Sequence, residues 1–194
     1  DTYAGWIDLF GWGTGNNPTL DTFDLRDYFY GSLWETNSIN GDEPNTWRTL
    51  TDDEWEYIIE KRSNADKLKG VAQVNGVNSL ILLPDGWTCP SGVTFKSGFD
   101  YDWCTECYGS YQTFSSSEWS MLEASGAVFL PAAGYRYGSN VNNVQGTGRY
   151  WSATGHASNY AFFLYFCSDA AYMDNLDHND YRNYGRSVRL VKDL

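Results

Sequence analysis

The sequence predicts an α+β domain, and three observations carry that prediction. Two capping boxes each open a short amphipathic helix, short apolar runs stop at prolines, and residues 160–167 alternate with period two. Two helices among short, mostly antiparallel strands make an α+β arrangement. The 194 residues read as a single domain, 1–194, long enough to bury a core without disulfide support. No fixed-period repeat, long linker or charge run divides it.

The first helix starts at Thr51, whose hydroxyl can cap the chain while Glu54 reaches back; Trp55, Ile58 and Ile59 then share one face. The second repeats the device. Ser115 caps, Glu118 closes the box, Trp119 and Leu122 share a face, and Gly126 stands where a left-handed residue ends a helix. Residues 80–83 and 127–130 are apolar runs ending near Pro84 and Pro131, the pattern of buried strands. Residues 149–154 and 187–191 are further strands, the latter with Val188 and Leu190 inward. In residues 160–167, Phe162, Leu164 and Phe166 form the expected core face, and Ala161, Phe163, Tyr165 and Cys167 point the other way. The Asn-rich stretches 140–145 and 174–183 read as loops.

Lys and Arg number 13 against 25 Asp and Glu, a net charge of −12. With no basic stripe, the chain lacks the phosphate-binding footprint of a nucleic-acid partner. The longest apolar run, residues 161–166, is far short of the roughly 20 residues a membrane-spanning helix needs. Nine Trp, fifteen Tyr and ten Phe supply ample surface to bury, which excludes disorder. The chain opens at Asp1-Thr2-Tyr3 without a leader or lipidation motif, as a trimmed or mature fragment would, so any targeting segment is absent from it.

Candidate chemistry is sparse. Asp52, Asp53, Glu54 and Glu56 fall in the first helix, where acids complement the helix dipole. Asp100, Asp102 and Glu106 surround a C-x-x-C and read as a loop or ion site. A glycosidase would need two carboxylates roughly 5–9.5 Å apart, one with a raised pKa. His156 and His178 lie in the loop-rich C-terminal part, and no G-x-S-x-G accompanies them. Gly11-Trp12-Gly13-Thr14-Gly15 lacks the strand-to-helix frame and the lysine of a phosphate loop. Cys104 and Cys107 form the C-x-x-C, Cys89 lies upstream and Cys167 stands alone; a loop-stapling disulfide, free thiols, metal and redox chemistry all fit this spacing. No catalytic residue, metal ligand or cofactor site is assigned.

Residues 156–184 are different in kind. Of these 29 residues, four are Asn, five Tyr, four Asp and two His, with no Lys or Glu. These types share a codon logic: an Asn codon becomes Tyr, His or Asp when only its first adenine changes. Phe, Cys, Ser, Ala and Leu follow if the second adenine also changes, and all occur here. On either side the sequence returns to ordinary strand patterns.

Phe129-Leu130-Pro131-Ala132-Ala133-Gly134-Tyr135-Arg136, then Tyr150-Trp151-Ser152-Ala153-Thr154, then Ser187-Val188-Arg189-Leu190-Val191 resemble the C-terminal half of a known family. It comprises the major paralogous domain proteins of gut Bacteroidetes and their phages, with the variable proteins of diversity-generating retroelements. Leu9-Phe10-Gly11-Trp12-Gly13, Trp47-Arg48-Thr49-Leu50-Thr51 and Leu83-Pro84-Asp85-Gly86-Trp87 extend the resemblance over most of the chain. The resemblance implies a C-type-lectin fold of the subtype shared with formylglycine-generating enzymes. It also implies a variable region at about 150–191, rewritten by a reverse transcriptase that scrambles template adenines. The catalytic cysteines of formylglycine-generating enzymes cannot be placed here, so no enzymatic activity is expected. Glu43-Pro44-Asn45 resembles the triplet by which some C-type lectins hold calcium and sugar, but it precedes the first helix and reads as a turn.

The expected function is therefore non-enzymatic ligand binding by a hypervariable surface. Tyr offers large amphipathic contacts, and Asn, Asp, His and Ser adaptable hydrogen bonds. The expected contact residues are His156, Tyr160, Phe163, Tyr165, Cys167, Asp169, Tyr172, Asp174, Asp177, His178, Asp180, Tyr181 and Tyr184. Phe162, Leu164, Phe166 and Arg182 are assigned to scaffold. The expected partner is a protein or glycan on a cell surface, reached by a protein that is surface-bound, secreted or virion-associated. The rival expectation is a secreted carbohydrate-active enzyme, or a glycan-binding module of fixed specificity.

Overall fold

Both capping boxes form. The Thr51 hydroxyl accepts from the Glu54 N–H at 3.2 Å, and the Thr51 N–H donates to the Glu54 carboxylate at 2.8 Å. Helix α1 (Asp52–Glu56) continues directly into a π-helical turn, Tyr57–Lys61, burying Trp55 and Ile59. Helix α2 (Ser116–Ala124) is opened by Ser115 and Glu118 in the same way, and Gly126 follows it at φ 95°. The computed structural model describes Trp12 and residues 38–99, 109–137, 140–156, 160–174 and 181–193.

The described strands form an α+β domain with mostly antiparallel sheets. Strands β1 (Trp47–Thr49) and β11 (Leu190–Lys192) pair, joining distant parts of the chain. Strands β2 (Lys69–Val74), β3 (Val77–Leu82), β4 (Gln112–Phe114) and β5 (Val128–Pro131) make a four-stranded sheet in the order β4-β2-β3-β5. Within it only the β2–β4 pair is parallel. Strands β6 (Tyr135–Tyr137) and β7 (Asn140–Asn142) pair with each other. A three-stranded antiparallel sheet, in the order β10-β9-β8, comprises β8 (Gly148–His156), β9 (Tyr160–Phe166) and β10 (Ala171–Asp174).

Two expectations about loops are corrected. Residues 140–142 of the Asn-rich stretch pair as β7, because the antiparallel partner β6 satisfies their backbone and no apolar face is needed. Tyr172 and Met173 belong to β10, which extends to Asp174 at the start of the second supposed loop. The terminal strand is shorter than expected: Ser187 only bridges Tyr150, and ladder pairing begins at Leu190. Glu43-Pro44-Asn45 forms a turn, with the Thr46 hydroxyl donating to the Glu43 carbonyl at 2.6 Å.

The sheets bury both faces. Leu80 and Leu82 of β3 join Trp55, Ile59, Tyr150, Leu164 and Phe166 in one core, whereas Ile81 and Leu83 turn to Leu122 and Phe114 beneath α2. A third cluster gathers Trp12, Trp151, Ala161 and Phe163. Its members from β9 are the odd-numbered positions, so the strand is sandwiched between two cores. This corrects the expectation that Phe163 faces solvent. The chain around 181–188 returns over that face and covers it, Tyr184 and Val188 packing against the cluster. Gly148 makes the closest approach in this sheet: a Cβ there would collide with the ring of its cross-strand partner Phe166.

Candidate functional site

Register builds the site. Arg149 of β8 pairs with Tyr165 of β9, which pairs with Tyr172 of β10, so the three side chains project from one face. The rings of Tyr165 and Tyr172 lie 5.1 Å apart, and the Arg149 guanidinium is 5.5 Å from the Tyr165 ring. On the far side of Arg149 the guanidinium lies 4.1 Å from the ring centre of Tyr135, on β6. Tyr135 stacks on Tyr184 at 5.8 Å, and Tyr137 meets Tyr184 edge-on at 5.0 Å. Tyr184 contacts Tyr181 at 6.0 Å, and Tyr181 contacts Tyr160 at 4.9 Å. The result is one run of tyrosine rings, interrupted by a single guanidinium.

Buried arginines support the run from beneath. The Arg182 Nε donates to the Tyr160 carbonyl at 2.8 Å, while its guanidinium lies 4.2 Å from a ring centre of Trp12. Arg186, fully buried, packs over Trp151 and Phe163. The Trp12 indole N–H donates to the Ser152 carbonyl at 2.8 Å. Arg182, assigned to scaffold from the sequence, thus lies under the surface.

The expected contact residues divide into three groups. Tyr160, Tyr165, Tyr181 and Tyr184 are half-buried in the tyrosine run, and Tyr172 is 37% exposed. His156 is half-buried beside Phe162, at 5.2 Å between rings. Phe163, Cys167, Asp169 and Asp174 are instead buried, beneath the surface on which ligand contacts are expected. The cause differs in each case. Phe163 is core, and Cys167 is held in a disulfide with its N–H donating to the Ala170 carbonyl at 2.9 Å. Asp169 accepts from the Ser168 hydroxyl at 2.9 Å, and Asp174 is the β10 partner of Phe163. Asp177, His178 and Asp180 lie outside the described residues, as do Asp100, Asp102, Glu106 and the C-x-x-C. Cys89 is free and exposed.

Sequence reasoning missed Tyr135, Tyr137 and Arg149, which precede the biased stretch. A signal was present: Tyr135 and Tyr137 flank Arg136 at period two, so both tyrosines share a strand face when Arg136 is buried.

The electrostatics follow from burial and crowding. Burial, with Asp169 and Tyr165 nearby, pushes the Tyr111 hydroxyl up to about 12. Burial and the adjoining Tyr137 and Tyr135 hold Tyr184 above the ordinary phenol range, and the neighbouring Tyr181 hydroxyl does the same for Tyr160. These phenols are neutral donors and acceptors at physiological pH. The helix α1 carboxylates serve structure: Glu54 binds Arg48 at 2.7 Å, Asp52 accepts from Thr154 at 2.6 Å, and Glu56 pairs with Lys61 at 2.6 Å. Among the described residues, no cluster of His, Cys, Asp and Glu is placed to hold a metal ion. No helix of the described residues is long and apolar enough to cross a membrane.

An α+β domain presenting a ring-lined polar surface on buried arginines is thus the class that fold and site define. A family model described as a domain of unknown function (DUF8237) matches residues 110–191. That span holds the whole tyrosine run but omits β1, β2, β3 and α1, on which its strands pack. No curated protein and no solved structure matches the chain.

Proposed function

We propose that this protein is a non-enzymatic binding protein whose ligand docks on the tyrosine surface, and that this surface is diversified by a retroelement. One observation carries the reading. The compositionally biased stretch supplies Tyr160, Tyr165, Tyr172, Tyr181 and Tyr184 to a single surface, whereas its large apolar residues go to the core. Tyrosines of this kind give contact area at low entropic cost, as in antibody paratopes. A scaffold that tolerates scrambling must draw its folding energy from elsewhere, and here two cores outside the surface supply it. The pairing of β1 with β11, which closes the domain, and the two helices support a C-type-lectin fold of the formylglycine-generating-enzyme subtype. The setting that follows from the reading is a cell surface, secretion or a virion, with a protein or glycan as ligand.

The test is the DNA flanking the gene. The reading expects a reverse-transcriptase gene and a near-identical copy of the segment encoding residues 150–191, differing only at template adenines. Codons for Tyr160, Tyr165, Tyr172, Tyr181 and Tyr184 should align with adenine-bearing template codons. Those for Leu164 and Phe166 should differ less between related isolates. A locus without such a copy, or variation spread evenly over core and surface codons, overturns diversification.

A further inference from the structure

Arg149 is the feature of this surface that the tyrosine composition does not explain. Its guanidinium lies among Tyr135 at 4.1 Å, Tyr165 at 5.5 Å and Phe163 at 5.9 Å. Its Nε is buried without a hydrogen-bond partner, the residue as a whole is only half-buried, and among the described residues its terminal nitrogens donate to no protein group. No carboxylate pairs with it among the described residues, although the chain carries a net charge of −12. The same Phe163 ring also carries the Arg186 guanidinium at 3.3 Å, so two positive charges converge on one ring. Ring faces stabilise a guanidinium only modestly, and a half-desolvated cation without a hydrogen-bonded anion is under-compensated.

From this geometry we infer that Arg149 is the anchor of the binding surface and that it takes a single carboxylate from an acidic side chain of a protein ligand. The inference rests on the tyrosine surface being the binding site. The terminal nitrogens of a guanidinium accept a carboxylate end-on through two parallel hydrogen bonds, and this geometry is stronger than a neutral contact. The surrounding tyrosines then seal the pair from water, the arrangement in which Arg and Tyr dominate interface energy. The charge pattern favours a protein over an acidic polysaccharide. One open cation among neutral phenols matches one isolated acid with neutral neighbours. A polyanion would meet the long-range repulsion of an acidic chain.

The test selects a displayed library of short random peptides on the intact protein and on two variants, Arg149→Met and Arg149→Glu. Peptides retained by the wild type, and released when Tyr165 and Tyr172 are changed to Ser, should be enriched in one Asp or Glu. The enrichment should vanish with Arg149→Met and turn to Lys or Arg with Arg149→Glu. Replacing the selected acid by its amide, Gln or Asn, should weaken binding to the unaltered protein by about tenfold or more. That last measurement needs no folded variant, so it decides the matter if Arg149→Met unfolds. Binders without acid enrichment, or binders indifferent to the amide replacement, overturn the anchor while leaving the surface standing. Binders that survive loss of Tyr165 and Tyr172, or no binders at all, overturn the surface reading itself. A trigalacturonate probe that binds through Arg149, when no acidic peptide does, overturns the protein source in favour of an acidic sugar.

Discussion

The guanidinium of Arg186 lies 3.3 Å from the ring centre of Phe163, with both side chains fully buried. A ring that supports a buried cation from inside the fold cannot also meet a ligand. That contact ties the returning segment around 181–188 to the middle strand of the three-stranded sheet. It leaves the middle of an alternating strand, at Phe163 and Leu164, buried on both faces.

Phe163→Ala should therefore destabilise the domain by about 3–5 kcal/mol, and Leu164→Ala by about 2–5 kcal/mol, as buried large-to-small changes do. Tyr172→Ser, at a 37%-exposed position, should shift stability by no more than about 0.5 kcal/mol. Urea titrations of the three variants check this. A Phe163→Ala variant as stable as Tyr172→Ser would place Phe163 on the surface after all.

Gly148 faces the ring of Phe166 across the β8–β9 ladder, and that ring is fully buried. Gly148→Ala should cost about 1–3 kcal/mol through overpacking, with no change of charge or hydrogen bonding. Pairing it with Phe166→Leu should recover part of the loss, because the shared space couples the two sites. Additive losses in the double-variant thermal melt would show that the two positions do not touch.

Glu54 sets an acid limit. Its hydrogen bonds from Arg48, above all, and from Thr51 hold its carboxyl at about 2, against an ordinary value of 4.5. A depressed pKa means that the pair's contribution is complete above pH 4.5 and declines as pH falls toward 2. Melting temperatures of the wild type should fall more steeply across that window than those of Glu54→Gln. High salt should blunt the difference, since the pair is partly exposed. Parallel curves for the two proteins would remove Glu54 from the acid limb.

The cysteines should sort by reagent access. Alkylation of the unreduced native protein is expected to label Cys89 and to leave Cys167 untouched until reduction. Reduction should lower the melting temperature without abolishing the cooperative transition, because the core built by Trp55, Leu80, Phe166 and their neighbours does not depend on the bond. Labelling of Cys167 in unreduced, folded protein would contradict the disulfide.

Local rules were sufficient for much of the architecture. Thr51 with Glu54 and Ser115 with Glu118 specify their helix starts within four residues, so both were legible in the sequence. The apolar runs ahead of Pro84 and Pro131 likewise announced buried strands. Strand β2 escaped notice because Gly70, Ala72 and a buried Lys69 dilute its apolar signal; only packing between β3 and β4 makes it a central strand. The tyrosine bias of residues 156–184 marks a chemically distinct segment, since composition is read without any fold.

What the sequence by itself determined was the class of the domain, its helix starts and the biased segment that supplies most of the tyrosine rings. Tertiary structure alone decided which members of that segment reach the surface. Period-two alternation assigns residues to opposite faces but does not say whether the second face is covered. That depends on Trp12, Arg182 and Arg186 being brought from both ends of the chain onto β8 and β9. The same long-range packing put Tyr135 and Arg149, from outside the biased stretch, at the centre of the tyrosine run. Contacts between residues so far apart in sequence leave no local period, so they become visible only when the chain has folded.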